Sequence, residues 1–279
     1  MSDLTVCVLH PGEMGAAVGR VARACGARVL WVAADRGPAT RRRAEAAQFE
    51  EAATLAEGLS GAQFVVSVCP PHAAIATAQD VAAHRYRGIY VDANAVAPHT
   101  VRRIGAIVAA AGATFVDGGI VGPPPAPGAS TRLYLAGSAA SRVAELFAAG
   151  PLTATVLVDA PIGGASALKA CYAAWTKGTA ALLLAINALA RHEGVAQALA
   201  AEWRLSQPDL FHRTDQATAN ARKAWRWIGE MEEIAATFGD ADLPDGFHLA
   251  AAAVFRRLES FRDDNAVTLE DVVRALLPR

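Results

Sequence analysis

Along the first half of the chain, short apolar runs alternate with stretches in which apolar residues recur every three or four positions. Val6–Leu9, "ARVLWVAA" after Gly26, "AQFVVSVCPP", "GIYVDANAV", "ATFVDGGIVGPP" and "TRLYLAGS" read as strands. Met14 to about Cys25 and Arg41 to Leu59 read as helices between them. Strands alternating with helices predict βαβ units and a mostly parallel sheet. Ligands of such sheets sit at the carboxyl ends of the strands. Those ends fall at Gly12, Pro70-Pro71, Asp92-Ala93-Asn94 and Gly118-Gly119.

After about Asp159 the β-branched runs stop and helical periodicity takes over. Ala165 to about Glu193 predicts one helix, about 44 Å long at 1.5 Å per residue. Its small and apolar residues extend around the whole circumference, so it is expected to be buried between domain halves or between subunits. Asp215–Phe238, Phe247–Phe261 and Thr268–Leu277 are further helices, with Pro244-Asp245-Gly246 as a turn. "GTAALLLAINALA" (Gly178 to Ala190) is the longest apolar stretch and falls short of the roughly 20 residues of a membrane span.

Composition agrees with a folded chain of two domains. Hydrophobic residues make up 53% of 279 and charged residues 19%, which leaves ample material for a core and no case for disorder. A net charge of -1 argues against a nucleic-acid or anionic-membrane surface. Cys7, Cys25, Cys69 and Cys171 are widely separated and form no C-x-x-C pair, so no metal site is expected. Reduced thiols and a cytoplasmic location follow as the simplest expectation.

The turn after the first strand carries the first chemical signal. A dinucleotide-binding G-x-G-x-x-G reads here as His10-Pro11-Gly12-Glu13-Met14-Gly15. Gly12 keeps the slot where backbone approaches a pyrophosphate, and Gly15 the slot of close helix–strand packing. His10, held extended by Pro11, replaces the turn glycine. Asp35, 20 residues past Gly15, could hold a ribose as in NAD proteins. Beside it lie Arg36, Thr40, Arg41, Arg42 and Arg43, and guanidinium groups are what a 2′-phosphate requires. NADP is therefore preferred to NAD. The expected fold is an α/β Rossmann-type domain over residues 1–160, followed by an all-α domain over residues 161–279.

"HPGEMG", "SVCPP", "VDANAVAP", "FVDGGIVGPP" and "GGASALKACYAAWTKG", in this order and spacing, resemble the β-hydroxyacid dehydrogenase and 6-phosphogluconate dehydrogenase superfamily. "AWRWIGEMEEIAATFG" and "LPDGFHLAAAAVF" further resemble a branch whose helical C-terminal domain has no settled function. The resemblance implies pyrophosphate contact at Gly12, Glu13, Met14 and Gly15, ribose contact at Cys69-Pro70-Pro71, and a segment near the nicotinamide ending at Asn94. It also implies a catalytic lysine at Lys169, behind Gly163-Gly164. Two polar substrate contacts of the simple β-hydroxyacid enzymes are absent. The Ser-Gly-Gly that holds a carboxylate falls at Val121-Gly122-Pro123, and an asparagine one turn past the lysine falls at Ala173.

Reducing a carbonyl builds negative charge on oxygen, which a lysine ammonium stabilises while delivering the proton. Lys177 lies on roughly the same helical face two turns on and is a secondary candidate, as is His248 at a helix start. Glu230 and Glu233 read as ion-pairing residues on a helical face. The expected activity is NADP-dependent hydride transfer between a small-molecule carbonyl and its alcohol, in a homodimer. An imine reductase using the same cleft is the nearer alternative, and a non-catalytic dinucleotide sensor or scaffold the more distant one.

Overall fold

In the computed structural model, which describes residues 4–277, the chain divides after Ala170 into two compact units. The first holds β1 (Thr5–Val8), α1 (Glu13–Ala24), β2 (Arg28–Val32), α2 (Pro38–Ala46), β3 (Glu50–Ala52), α3 (Leu55–Leu59), β4 (Phe64–Ser67), α4 (Ala74–Ala83) and β5 (Ile89–Asp92). It continues through α5 (Pro98–Ala110), β6 (Thr114–Val121), β7 (Thr131–Ala136), α6 (Ala140–Leu146) and β8 (Leu152–Val156) to the start of α7 (Gly164–His192).

The strands form one sheet in the order β3-β2-β1-β4-β5-β6-β7-β8. Its pairings are parallel except for β6 against β7. The apolar runs β1, β4 and β5 are buried on both faces, as a parallel sheet covered by helices requires. The order reverses between β1 and β4, and loops at such a switch point open a crevice for ligands.

One expected element of this unit is corrected here. The helix expected from Arg41 to Leu59 is α2, then β3, then α3. Glu50-Glu51-Ala52 has poor strand propensity, and pairing with β2 at Leu30–Val32 makes it a strand. The compact division after Ala170 lies beyond Gly163–Ser166, which hang from the sheet through Asp117.

The second unit continues α7 and adds α8 (Ala196–Ser206), α9 (Asp209–Ala219), α10 (Ala224–Gly239), α11 (Gly246–Arg257) and α12 (Leu269–Leu276). The expected helix Asp215–Phe238 is interrupted by a 3-10 turn at Ala221–Lys223. α10 and α11 pack together around Met231, Ile234, Ala235 and Phe255. α12 opens with a capping box between Thr268 and Asp271.

Within one copy of the chain the long helix is only partly buried. α7 is 29 residues, long and apolar enough to cross a bilayer by length and composition, and only 33% of its most apolar window is buried. Tyr172, Trp175, Leu182 and Leu189 lie open on its surface.

Candidate active site

At the β1–α1 turn, Gly12 starts α1 with no side chain capping the helix. The first amides of a helix have no intrahelical acceptor, so this turn presents donors and positive potential to an anion. A Cβ built on Gly12 would meet no atom within 4 Å among the described residues. One built on Gly15 would strike the His10 carbonyl oxygen at 2.2 Å. Gly12 therefore leaves room for a ligand, while Gly15 lets the helix close against the strand. Glu13 is exposed on the first turn, and Met14 packs partly against the core.

His10 is half-buried and tied to the arginine loop. Arg36 Nη2 donates to His10 Nε2 at 2.8 Å. A guanidinium has no acceptor, so Nε2 accepts and the proton of the neutral ring sits on Nδ1. Burial and the Arg36 charge push the histidine down to about 4, and the ring is neutral at physiological pH. His10 Nδ1 and Arg36 Nε are buried and have no hydrogen-bond partner among the described residues.

The other residues of this loop are arranged differently. Asp35 has φ +58, the left-handed turn between β2 and α2, and Thr40 lies in the first turn of α2, its N–H on the Gly37 carbonyl. Arg41 pairs with Glu51 at 2.5 Å and stacks over Trp31. Arg36 is thus turned toward the glycine turn.

Across the switch point, Asn94 crosslinks the ends of β4 and β5. Its Oδ1 accepts from the Cys69 N–H at 2.6 Å, and Nδ2 donates to Asp92 Oδ2 at 2.8 Å and Ser67 Oγ at 3.1 Å. Asn94 is buried, and its bonds hold the Cys69-Pro70-Pro71 segment in place rather than presenting its amide at the surface. Burial pushes the Cys69 thiol up to about 11, so it stays protonated.

Ser67, Asp92 and Asp117 are register partners on three neighbouring parallel strands and are fully buried. Equal register places them on one face of the sheet. Burial raises Asp92 to about 7, aided by the Asp117 charge and opposed by hydrogen bonds from Asn94 and the charge of Lys169. Burial also raises Asp117, against the hydrogen bonds it accepts.

Asp117 holds the helix that carries Lys169. Its Oδ2 accepts from the N–H groups of Gly163 and Ala165, both at 2.9 Å, and of Ser166 at 3.3 Å. Ser166 Oγ donates to Oδ1 at 2.7 Å. Gly163, at φ +98, makes the turn into the helix. A Cβ on Gly119 would meet the Ala165 carbonyl oxygen at 2.4 Å and the Lys169 Cβ at 3.3 Å. The glycine thus lets α7 lie directly on β6, with half-buried Lys169 over it.

The sequence pattern puts Asp92 and Gly118-Gly119 at strand ends, but β6 runs on to Val121 and both glycines lie inside it, while neither Asp117 nor Ser166 stands out in the sequence as a site residue. The available signal was an acid inside each of two apolar strands, "FVDGGIV" and "IYVD", since a buried carboxylate needs donors. Val121 is buried at the end of β6, and Gly122 turns the chain at φ +115.

The remaining candidates lie in the helical unit. Ala173 is buried. Lys177 pairs with Glu230, lies over the Trp227 ring, and lines a cavity of about 710 Å³ with Trp175, Trp203 and Arg213. His248 is buried against Phe238, with ring centroids 4.3 Å apart. Burial lowers its pKa.

A domain of unknown function, DUF1932, matches residues 190–258. No curated protein matches the sequence. Among solved structures, the conserved protein MTH1747 of unknown function, itself reported as structurally similar to 3-hydroxyacid dehydrogenases, is 26% identical. That alignment covers 92% of this chain and 98% of MTH1747, at a TM-score of 0.70. The 3-hydroxyisobutyrate dehydrogenase of Mycobacterium tuberculosis is 16% identical over 99% of this chain and 100% of its own, at a TM-score of 0.73. A reductive aminase from Aspergillus terreus in complex with NADPH and ethyl levulinate is 18% identical over 99% of both chains, at a TM-score of 0.56.

Proposed function

From a chain built on the β-hydroxyacid dehydrogenase fold with a helical C-terminal unit, we propose an NADP-dependent oxidoreductase that interconverts a small-molecule carbonyl and its alcohol. Lys169 is its general acid and base. One observation carries this reading: the sheet grips the start of α7 through Asp117, and Gly119 brings Lys169 down onto the interior strand β6.

The residues present fit a dinucleotide. Gly12 leaves open space before an uncapped helix start, and two buried N–H groups beside it, on His10 and Arg36, have no acceptor among the described residues. Gly12 to Gly15 would hold the pyrophosphate, Cys69-Pro70-Pro71 the ribose side, and Arg36 with Thr40 the 2′-phosphate. A bound dihydronicotinamide supplies the hydride. Lys169 Nζ stabilises the charge that grows on the substrate oxygen and donates its proton, and in the reverse direction it accepts the hydroxyl proton. Asp117 and Gly119 fix where that amine stands.

Val121, with Gly122, replaces polar substrate contacts with an apolar wall, which favours a substrate that is less acidic than a simple hydroxyacid. The four free cysteines fit a reducing cytoplasm. The open face of α7 is assigned to a second copy of the chain, making a homodimer.

The test begins with titration of the protein by NADPH and NADH, read by energy transfer from tryptophan. Micromolar NADPH with NADH about tenfold weaker supports the reading, and binding of neither removes it. Lys169→Ala is then assayed on carbonyl and cyclic imine substrates. Loss of carbonyl reduction by about 100-fold or more supports acid–base catalysis by the lysine. Retained imine reduction would move the assignment to C=N acceptors.

A further inference from the structure

We infer that His10, standing where a dinucleotide turn carries its first glycine, is a positioning residue that turns Arg36 toward the phosphorylated ribose and so sets the preference for NADP over NAD. The inference rests on the dinucleotide-binding reading above and adds to it a residue with a specific task.

The geometry carries the argument. Arg36 follows the left-handed Asp35 at the end of β2, on a loop whose flanking residues are exposed. A guanidinium on such a loop has many rotamers, and ordering it at the moment of binding costs conformational entropy. The 2.8 Å bond from Arg36 Nη2 to His10 Nε2 removes much of that freedom beforehand. Pro11 contributes by keeping His10 extended, and Gly15 accepts the His10 carbonyl oxygen where a Cβ would collide at 2.2 Å. The histidine is therefore locked from both sides of its own backbone.

The donors left over point to an acidic ligand. With one Nη2 hydrogen spent on the ring, Arg36 retains Nε–H, both Nη1 hydrogens and the second Nη2 hydrogen, and His10 retains its Nδ1 proton. Arg36 Nε and His10 Nδ1 are buried without a partner among the described residues, a state that costs stability unless a ligand supplies the acceptor. Several donors gathered at one place suit the oxygens of a phosphomonoester better than the ribose hydroxyls of NAD, which also donate. A glycine in the same slot would shape the turn equally well but leave Arg36 unheld.

Binding of 2′,5′-ADP and of 5′-ADP, measured by calorimetry, tests this without catalysis or a nicotinamide. The wild-type chain is expected to prefer the 2′-phosphate by about tenfold or more. His10→Gly should bring that ratio down to about 3 or less while changing 5′-ADP affinity little, and His10→Gln, which keeps an acceptor, should recover part of it. Arg36→Ala should remove most of the preference, and adding His10→Gly to Arg36→Ala should cost less than His10→Gly does alone. Thermal unfolding of each variant confirms that the folded chain is being compared.

A His10→Gly chain that retains the full ratio overturns the inference and leaves the NADP reading intact. So does an equal loss of affinity for both ligands, which marks His10 as a turn residue only. A wild-type chain that binds both without preference, or neither, overturns the inference together with the NADP assignment.

Discussion

Ser166 donates its hydroxyl to Asp117 across 2.7 Å, and through this bond and three amide bonds the sheet holds the first turn of the helix bearing Lys169. Helix starts are usually satisfied by a local cap or by water. Here a fully buried carboxylate from the neighbouring strand does it, 46 to 49 residues away in sequence. Stability and the placement of the lysine are therefore coupled at one side chain.

Asp117→Ala should cost roughly 3–5 kcal/mol, because it strands several buried donors at once, whereas Ser166→Ala should cost about 1 kcal/mol. Urea unfolding at neutral pH measures both. A cost below about 1 kcal/mol for Asp117→Ala would show that water replaces the carboxylate and that the helix is held elsewhere.

Two glycines should behave oppositely. Gly119→Ala places a Cβ 2.4 Å from the Ala165 carbonyl oxygen, so α7 must lift. Overpacking of this kind costs about 1–3 kcal/mol, and carbonyl reduction should fall with it. Gly12→Ala meets open space at an ordinary φ of -68, so stability should change by about 0.5 kcal/mol or less. Dinucleotide affinity should nevertheless drop about tenfold, as the new methyl group occupies the phosphate approach. An unfolding experiment paired with a cofactor titration separates the two, and unchanged affinity in Gly12→Ala would move the pyrophosphate elsewhere.

Most of this frame was legible in the sequence, and the omissions share a cause. The β1–α1 turn, the ends of β1, β4 and β5 and the lysine helix announce themselves through local pattern, with α7 read to within one residue at each end, whereas β6 continues past Gly118-Gly119 to Val121. Glu50–Ala52 was invisible because its strand character comes from its partner β2. The break at Ala221–Lys223 lies in a run of helix-favouring residues that carries no glycine or proline to mark it. The grip of Asp117 on Ser166 and that of His10 on Arg36 join residues 49 and 26 positions apart. Each partner is visible alone, while the contact belongs to the sheet order.

Asp92 predicts a pH dependence of stability. Burial raises its pKa in the folded chain to about 7 from the usual 3.8, so the folded state holds a proton that the unfolded state has released. That contribution is fully present below about pH 4 and is lost as pH rises through 7. His10 acts oppositely, its depressed folded value near 4 adding stability as pH rises through the ordinary histidine range of 6.5. The difference between wild-type and Asp92→Asn unfolding free energies, followed from pH 4 to 8, isolates the carboxylate. The wild type should lose ground to the variant steadily across that window. A flat difference would place the Asp92 pKa at its unfolded value and remove buried protonation from the site.

The open face of α7 gives the last prediction. Trp175, Leu182 and Leu189 recur at seven-residue intervals and are 63%, 60% and 59% exposed. A seam of large apolar side chains at this spacing is what one helix offers another, and full burial of each is worth about 1.5–3 kcal/mol. The arrangement is self-complementary in the sense that a two-fold dimer needs, since the same stripe on a second copy is an equally apolar partner. Sedimentation velocity at micromolar concentration should therefore show a dimer. Leu182→Arg, at the centre of the stripe, should weaken association by about 100-fold or more without unfolding the chain, because an exposed position has no core to disrupt. A wild-type monomer that stays in solution would remove the dimer. One that partitions onto lipid vesicles would assign the same stripe to a membrane.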